Sequence, residues 1–426
     1  MRDFRRGLLL FAAIFITCTP ATAQIDVAAS QTHRQAAFEA YDAGDFDGFT
    51  HSLEAALELN PGSLRTRYDL ACGYALTGRA DEALELLGQL ARQKVDFGMV
   101  DDEDLESLHD LSGFHALVES LERAIEPISN SELRFELEQY GLIPEGIAVD
   151  TETGRTFLGS MRSGDILVVD SDGRLSKFAT VAHDGALAAI GLAVDDNREL
   201  LWAVGAAFGT VENFDPEAPP KTGVFGFDLT TGREQHKYIA DTSVRGLNDV
   251  TVGPAGDLFV SGTVLSRVRP GGDRLEAVDT DIQIVGANGV AASPDGRDLF
   301  VSSYPVGLAR IDLGSGKVVF LDLPADTTSY GIDGLYWYEG GLVGVQNGVR
   351  PWRLVRMTLS EDRDTVTAVR MIEYANDYVT ATTGAIVGNV IHYVGQGPDP
   401  EDPPSHFPEN LRQFLGKTVV MTAPLD

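Results

Sequence analysis

The chain has 426 residues, of which 43% are hydrophobic, and its 64 acidic against 33 basic side chains leave a formal net charge of −31. So acidic a surface repels polyphosphate and sets nucleic acid aside as a partner, while attracting cations locally. The length exceeds what a single hydrophobic core usually serves, so two domains are expected.

Residues 1–23 read as a secretory signal. Arg2, Arg5 and Arg6 make the basic start, 7–17 is an apolar run too short to span a bilayer, and Ala21-Thr22-Ala23 fits the small-residue cleavage pattern. Export to a periplasm or out of the cell is the expectation, with no membrane attachment after cleavage, since no later stretch is apolar enough to cross. Cleavage removes three arginines and one aspartate, which takes the charge to −33. Cys72 is then the only cysteine, so no intramolecular disulfide can form.

Residues 31–126 carry apolar and small residues at helical spacing, broken at Gly44 and at Asn60-Pro61. Ala43-Gly44-Asp45 recurs 34 positions on as Thr77-Gly78-Arg79, and Tyr41, Phe49 and Leu53 recur as Ala75, Ala83 and Leu87. This period and the helix-turn-helix layout resemble the tetratricopeptide repeat (TPR), with an acidic connector and a capping helix after it. Such repeats offer a concave surface to a peptide or protein partner. So short an array is expected mainly to pack against the second domain.

From 133 to 426 the period changes to short alternating runs rich in Val, Ile, Leu and Phe, punctuated by Gly, Asp and Pro. Six of them start alike: "PEGIAVD", "AIGLAVD", "LNDVTVG", "ANGVAAS", "IDGLYWY" and "TTGAIVG". Their key positions are Glu145, Ile190, Asn248, Asn288, Asp333 and Thr383, spaced by 45, 58, 40, 45 and 50 residues, the length of a four-stranded blade. The fold class expected is therefore multi-domain: a small all-α, TPR-like helical-repeat domain, then an all-β six-bladed propeller. The last unit is one strand short, and residues 132–139 ("ELRFELEQ") are expected to supply its outer strand and close the ring.

In a propeller the first strand of each blade lines the central channel, so the six key positions form a ring at one end of it. Four of them are oxygen donors, and none is a histidine or cysteine. Two carboxylates and two amides suit one hard divalent cation, calcium first, then magnesium or manganese, with zinc as a further alternative. Asn288-Gly289 and Asp333-Gly334 also read as ordinary turns. The glycine, however, recurs where the preceding residue differs, and better turn signals follow a few residues later.

The ordered set Glu145, Asn248, Asn288 and Asp333 stands in the contexts "PEGIAVD", "RGLNDVTVGPAGDLFVSGT", "ANGVAASPDGRDLFVSS" and "DGLYWYEGGLVGVQNG". In these the chain resembles the senescence-marker-protein (regucalcin) and gluconolactonase family, over roughly residues 133–425. The resemblance implies a six-bladed propeller with one divalent metal in its channel and, in the enzymatic members, hydrolysis of lactones or related esters. It implies Glu145, Asn288 and Asp333 as direct metal ligands, Asn248 as a residue that holds substrate or metal, and Asp333 also as the general base. Two positions depart from the pattern. The family's substrate-binding arginine falls at Gly246, with Arg245 one place off and so on the other side of a strand. The catalytic histidine of the related paraoxonase-like enzymes falls at Ile190.

Loops between second and third strands face the same end of the channel. They bring Arg162, Thr263, Tyr304, Gln346 and Asn347 to the entrance as candidate substrate contacts, beside Asn248 and Arg245. Two long insertions there, 206–223 and 395–414, are expected either to overhang the metal as a lid or to decorate the surface, and to carry little core. Two function classes stay open. One is a metal-dependent hydrolase of a small lactone or related ester. The other is a non-catalytic ligand- or protein-binding propeller stiffened by a structural calcium. No "GxSxG", "HExxH", "CxxC", Gly-rich phosphate loop or EF-hand loop is present to carry another chemistry.

Overall fold

The computed structural model describes residues 25–182, 187–212, 214–215, 221–241, 243–244, 246–375, 381–396 and 416–426. The expected signal segment, Arg245 and nearly all of the insertion 395–414 lie outside the described residues. Among those described, no helix is long and apolar enough to cross a membrane.

Helices come first: α1 (Val27–Asp42), α2 (Phe46–Leu59), α3 (Leu64–Leu76), α4 (Ala80–Arg92) and α5 (Ser112–Ala124), with a 3-10 turn at Glu103–Leu108. α1 begins ahead of the expected boundary at 31 because Asp26 caps it, accepting from Ala29 N at 2.9 Å. Asp45 and Ser63 cap α2 and α3 in the same way. Gly44 (φ +74°) and Gly78 (φ +77°) follow α1 and α3 in the left-handed region, which is why this turn is the part that repeats. The apolar faces of α3, α4 and α5 meet in one core around Leu64, Tyr68, Leu87, Leu90 and Phe114.

The remainder forms six four-stranded antiparallel sheets. Blades one to five follow the chain, at 144–180, 188–239, 247–277, 287–320 and 332–374, each from its inner strand outward. Blade six takes its inner strands from the C-terminal end (Gly384–Val387, Val390–Gln396 and Lys417–Pro424) and its outer strand, Glu132–Tyr140, from ahead of blade one. That outer strand runs antiparallel to Lys417–Pro424, from Glu132 opposite Thr422 to Tyr140 opposite Lys417, and closes the ring. From it Leu137 is buried with Leu142, Ile147, Val394 and Val420 at the seam between the last blade and the first.

The helices lie against blades four and five. Asn60 Nδ2 donates to Pro305 O (2.9 Å), Gln93 Nε2 to Thr327 O (3.1 Å) and Tyr374 OH to Lys94 O (2.9 Å). Pro305, Thr327 and Tyr374 all belong to the end of the propeller where inner strands begin. The helices therefore stand beside the mouth of the channel that holds the ring.

Candidate metal centre

The ring positions fall at or next to the starts of the inner strands: Pro144–Val149, Ala188–Asp195, Leu247–Val252, Ala287–Ala292, Ile332–Tyr338 and, just after Thr383, Gly384–Val387. In five blades the pairing with the second strand slips here. The ladder jumps from Pro144 to Ile147, Ala189 to Leu192, Leu247 to Val250, Ala287 to Val290 and Ile332 to Leu335. Each jump is a bulge that contains the ring residue and the one after it, and a bulge re-aims side chains that a regular strand would hold perpendicular to its sheet. That is how a glutamate comes to stand at the head of the buried run "GIAVD".

The residue after the ring position is glycine where neighbouring inner strands nearly touch. A Cβ on Gly146 would lie 1.8 Å from Ile190 O, and one on Gly289 would lie 2.3 Å from Asp333 O. In blade three that place is taken by Asp249. Its carboxylate is buried in the channel and accepts from the N–H of Val250 at 2.8 Å and from the N–H of Val290 in the next blade. Asp249 is thus a third channel carboxylate beside the expected Glu145 and Asp333, and its readable signal is an aspartate in a column of glycines. Below the ring, a cavity of about 320 Å³ is lined by inner strands from Asp249 and Thr383 to Thr151 and Trp337.

Glu145, Asp249 and Asp333 all suffer from this burial. Burial pushes Asp333 up to about 6, while the Asn347 amide that donates to its Oδ2 and the neighbouring Asn288 amide hold it back. Burial, and then the charge of Asp333, push Asp249 up to about 7 against the two backbone N–H groups. Glu145 is driven well above the usual carboxylate range, first by burial and then by the charges of Asp333 and Asp249. Among the described residues no basic side chain offsets any of the three. Two oxygens in the same place, Asn288 Oδ1 and Asp333 Oδ1, are buried without a hydrogen-bond partner. Each such orphan costs about 1–3 kcal/mol. A hard divalent cation fits this donor set, which is oxygen only, part anionic and part amide.

Among the described residues, one trio of cysteine, histidine or carboxylate ligand atoms lies within 4.8 Å of one another: Cys72, Asp102 and Asp104, in the helical segment. Its carboxylates already accept from Tyr68 OH (2.7 Å) and Tyr41 OH (2.8 Å), and burial pushes the Cys72 thiol up, so it is a satisfied network. The three channel carboxylates do not come that close together.

The expected substrate contacts are distributed differently. Asn248 is half-buried at the head of its strand, among the ring. Asn347 reaches the ring by hydrogen-bonding Asp333: its Nδ2 donates to Asp333 Oδ2 at 2.6 Å and to Ala381 O at 3.0 Å. Tyr304 OH donates to Asn347 Oδ1 at 2.9 Å. Thr263 is exposed at the entrance, its hydroxyl 3.4 Å from Gly246 O. Arg162 is engaged in an ion pair with Glu212 (2.9 Å), which ties it to the insertion of blade two. Gln346 is buried, its amide nitrogen donating to Thr328 O and Tyr330 O and its oxygen accepting from Arg353 Nε. It braces a loop and lines no entrance. The insertion 206–223 is also more than decoration, because Val211 is buried in a core with Trp202, Val204 and Leu247, between blades two and three.

No protein-family model matches the chain, and no curated protein matches it. Solved structures do resemble it in fold. Regucalcin, a calcium-binding protein from Agrobacterium tumefaciens, is 17% identical over 69% of this chain and 95% of its own, with a TM-score of 0.47. A gluconolactonase from Xanthomonas campestris is 15% identical over 70% of this chain and 89% of its own, at 0.44. A catalytically inactive virginiamycin B lyase from Staphylococcus aureus, crystallised with quinupristin, is 14% identical over 68% of this chain and 99% of its own, also at 0.44.

Proposed function

We propose that the protein is a divalent-cation-dependent hydrolase of a lactone or related ester, with the cation held by Glu145, Asn288 and Asp333 and with Asn248 on the ion or the substrate. The observation that carries this reading is the pair of buried, unpartnered oxygens, Asn288 Oδ1 and Asp333 Oδ1, among carboxylates with no counter-charge. When bound, calcium or a similar ion supplies the Lewis acidity that polarises an ester carbonyl. The chain's own residues do the rest. Asn347 anchors Asp333 Oδ2, which leaves the other oxygen without a protein partner. Asp333 is the carboxylate of the ring placed to take a proton from water, with one oxygen anchored and the other free of protein partners.

A second reading, a non-catalytic binding propeller stiffened by calcium, is favoured by a different observation. Arg162, Gln346 and Asn347, three of the side chains expected on the substrate, are each engaged within the chain. Hydrolysis of a panel of aldonolactones and acyl lactones, with and without chelator, separates the two. Turnover abolished by chelator supports the hydrolase. Calcium-dependent stabilisation with no turnover on any lactone supports the binding module. The basic, apolar and small-residue order of 1–23 supports an exported protein, periplasmic or secreted, and N-terminal sequencing of the exported form tests it by the cleavage after Ala23.

A further inference from the structure

The turn that follows the second strand of blade five touches two distant places. At its start the Asn347 amide holds Asp333 Oδ2 and receives the Tyr304 hydroxyl. Two residues later, Val349 is fully buried, but in the core of the helical segment, with Leu64, Tyr68, Val95 and Met99. Gly348 between them has no freedom. Its N–H donates to Gly331 O at 3.0 Å, and a Cβ there would lie 2.5 Å from Gly331 Cα and 2.9 Å from the Tyr304 hydroxyl. Beyond Val349, Arg350 O accepts from Asp96 N (2.8 Å), and the buried Arg353 donates from Nη1 to Gln93 O (3.1 Å). The turn is thus pinned to the ring at one end and to the helices along the rest. A second line runs parallel to it. Tyr330 packs against the same helical core, and its ring centroid lies 6.4 Å from that of Tyr304.

We propose that the helical segment is a positioning element for the channel site: by seating Val349 it fixes the Asn347 amide, and through that amide the orientation of Asp333. The inference rests on the cation site proposed above. An amide that holds one carboxylate oxygen decides which oxygen is left to face an ion, so Asn347 works only while its own backbone is held still. Partners of this kind behind a metal ligand are worth about 10–100-fold in metal affinity. Val349 touches neither ion nor substrate and acts as a positioning residue at two removes.

The test is calorimetric titration of the full chain with calcium, magnesium and manganese, for the wild type, Asn347→Ala, Val349→Ala and the double variant. Leu201→Ala, which opens a cavity in the core of blade two, serves as a control for lost stability alone. Val349→Ala and Asn347→Ala are each expected to weaken the best cation about 10–100-fold. The double variant should be no weaker than the worse single one, because both act through one amide. Leu201→Ala should bind as the wild type does. Should Val349→Ala fail to fold, Val349→Thr keeps the shape, removes apolar burial and carries the same comparison. Wild-type affinity in the folded Val349 variant overturns the inference and leaves the cation site standing. A wild type that binds none of the three ions overturns the site and this inference with it.

Discussion

The two oxygens of Asp333 have different surroundings, since Oδ2 is held by Asn347 and Oδ1 is buried without a partner. Asp333→Asn keeps the size and one oxygen of the right kind but removes a negative charge and the proton acceptor. In a hydrolase this variant is expected to lose about a hundredfold to ten-thousandfold in kcat even when saturated with cation, because excess metal does not replace a base. Full activity in the saturated variant would remove Asp333 from that role. The crowded carboxylates also set a pH dependence for the cation-free protein. Asp249 (about 7) and Asp333 (about 6) hold protons in the folded state that the unfolded chain has released. Their contribution to stability is therefore complete below about pH 4 and is lost as pH rises through 6 to 7. For Asp249 alone, moved from 3.8 to about 7, the loss is on the order of 4 kcal/mol. Urea midpoints of chelator-treated protein should fall between pH 5 and pH 8, and Asp249→Asn should flatten the fall. Calcium at about a hundred times its dissociation constant should return about 2.7 kcal/mol at the higher pH. Midpoints that ignore both pH and calcium would count against the buried, uncompensated carboxylates.

At the scale of the element, the inner strand does two jobs that conflict in a regular strand. It must pair with its neighbour in the blade, and it must turn a side chain into the channel. In five blades a bulge at the ring position separates these tasks, and outside blade three the glycine after the ring position lets adjacent blades close up. Gly289 shows how little room there is, since an added Cβ would lie 2.3 Å from Asp333 O and 2.5 Å from Leu335 N, both backbone atoms. Gly289→Ala is expected to cost about 1–3 kcal/mol or more in urea unfolding. It should also weaken cation binding, because it drives the strand carrying Asn288 away from the strand carrying Asp333. Gly209→Ala, whose Cβ would meet nothing within 4 Å, should change neither. Equal behaviour of the two variants would mean that the close approach has no consequence.

For the whole molecule, the order of strands in blade six and the position of the helices make one object of two unlike halves. The outer strand Glu132–Tyr140 lies between the helical segment and blade one in sequence, yet it pairs with the last strand of the chain. Leu137→Ala at that seam is expected to cost about 2–5 kcal/mol, the usual range for a buried leucine. Because Val349 and Tyr330 of the propeller pack into the helical core, loss at the seam should not stay in the propeller. Thermal unfolding followed by helical circular dichroism and by tryptophan fluorescence should give coincident transitions, both lowered together in Leu137→Ala. A helical signal that stays at its wild-type midpoint would show the halves to be independent.

What the sequence determined by itself is everything that repeats or has a period. Six strand heads at blade-length spacing fixed the number of blades, a switch from helical to alternating periodicity fixed the two halves, and a missing final strand with a spare one upstream fixed the closure. Glu145, Asn288 and Asp333 were legible because each stands at the same place in its unit. Only the tertiary structure decided what depends on contacts between units. It brought Asp249 into the channel through a bulge whose register no single strand reveals. It turned Arg162 and Gln346 to partners within the chain and engaged Asn347 on Asp333. It also put Val211 into a core where a loop was expected to be surface. The physical reason is the same in each case. Periodicity reports which face of an element is buried, whereas the direction of a side chain at a bulge or loop is set by neighbours tens to hundreds of residues away. The seating of the helical segment beside the mouth belongs to that second kind, since Val349 and the core of α3 and α4 that receives it share no pattern in the chain.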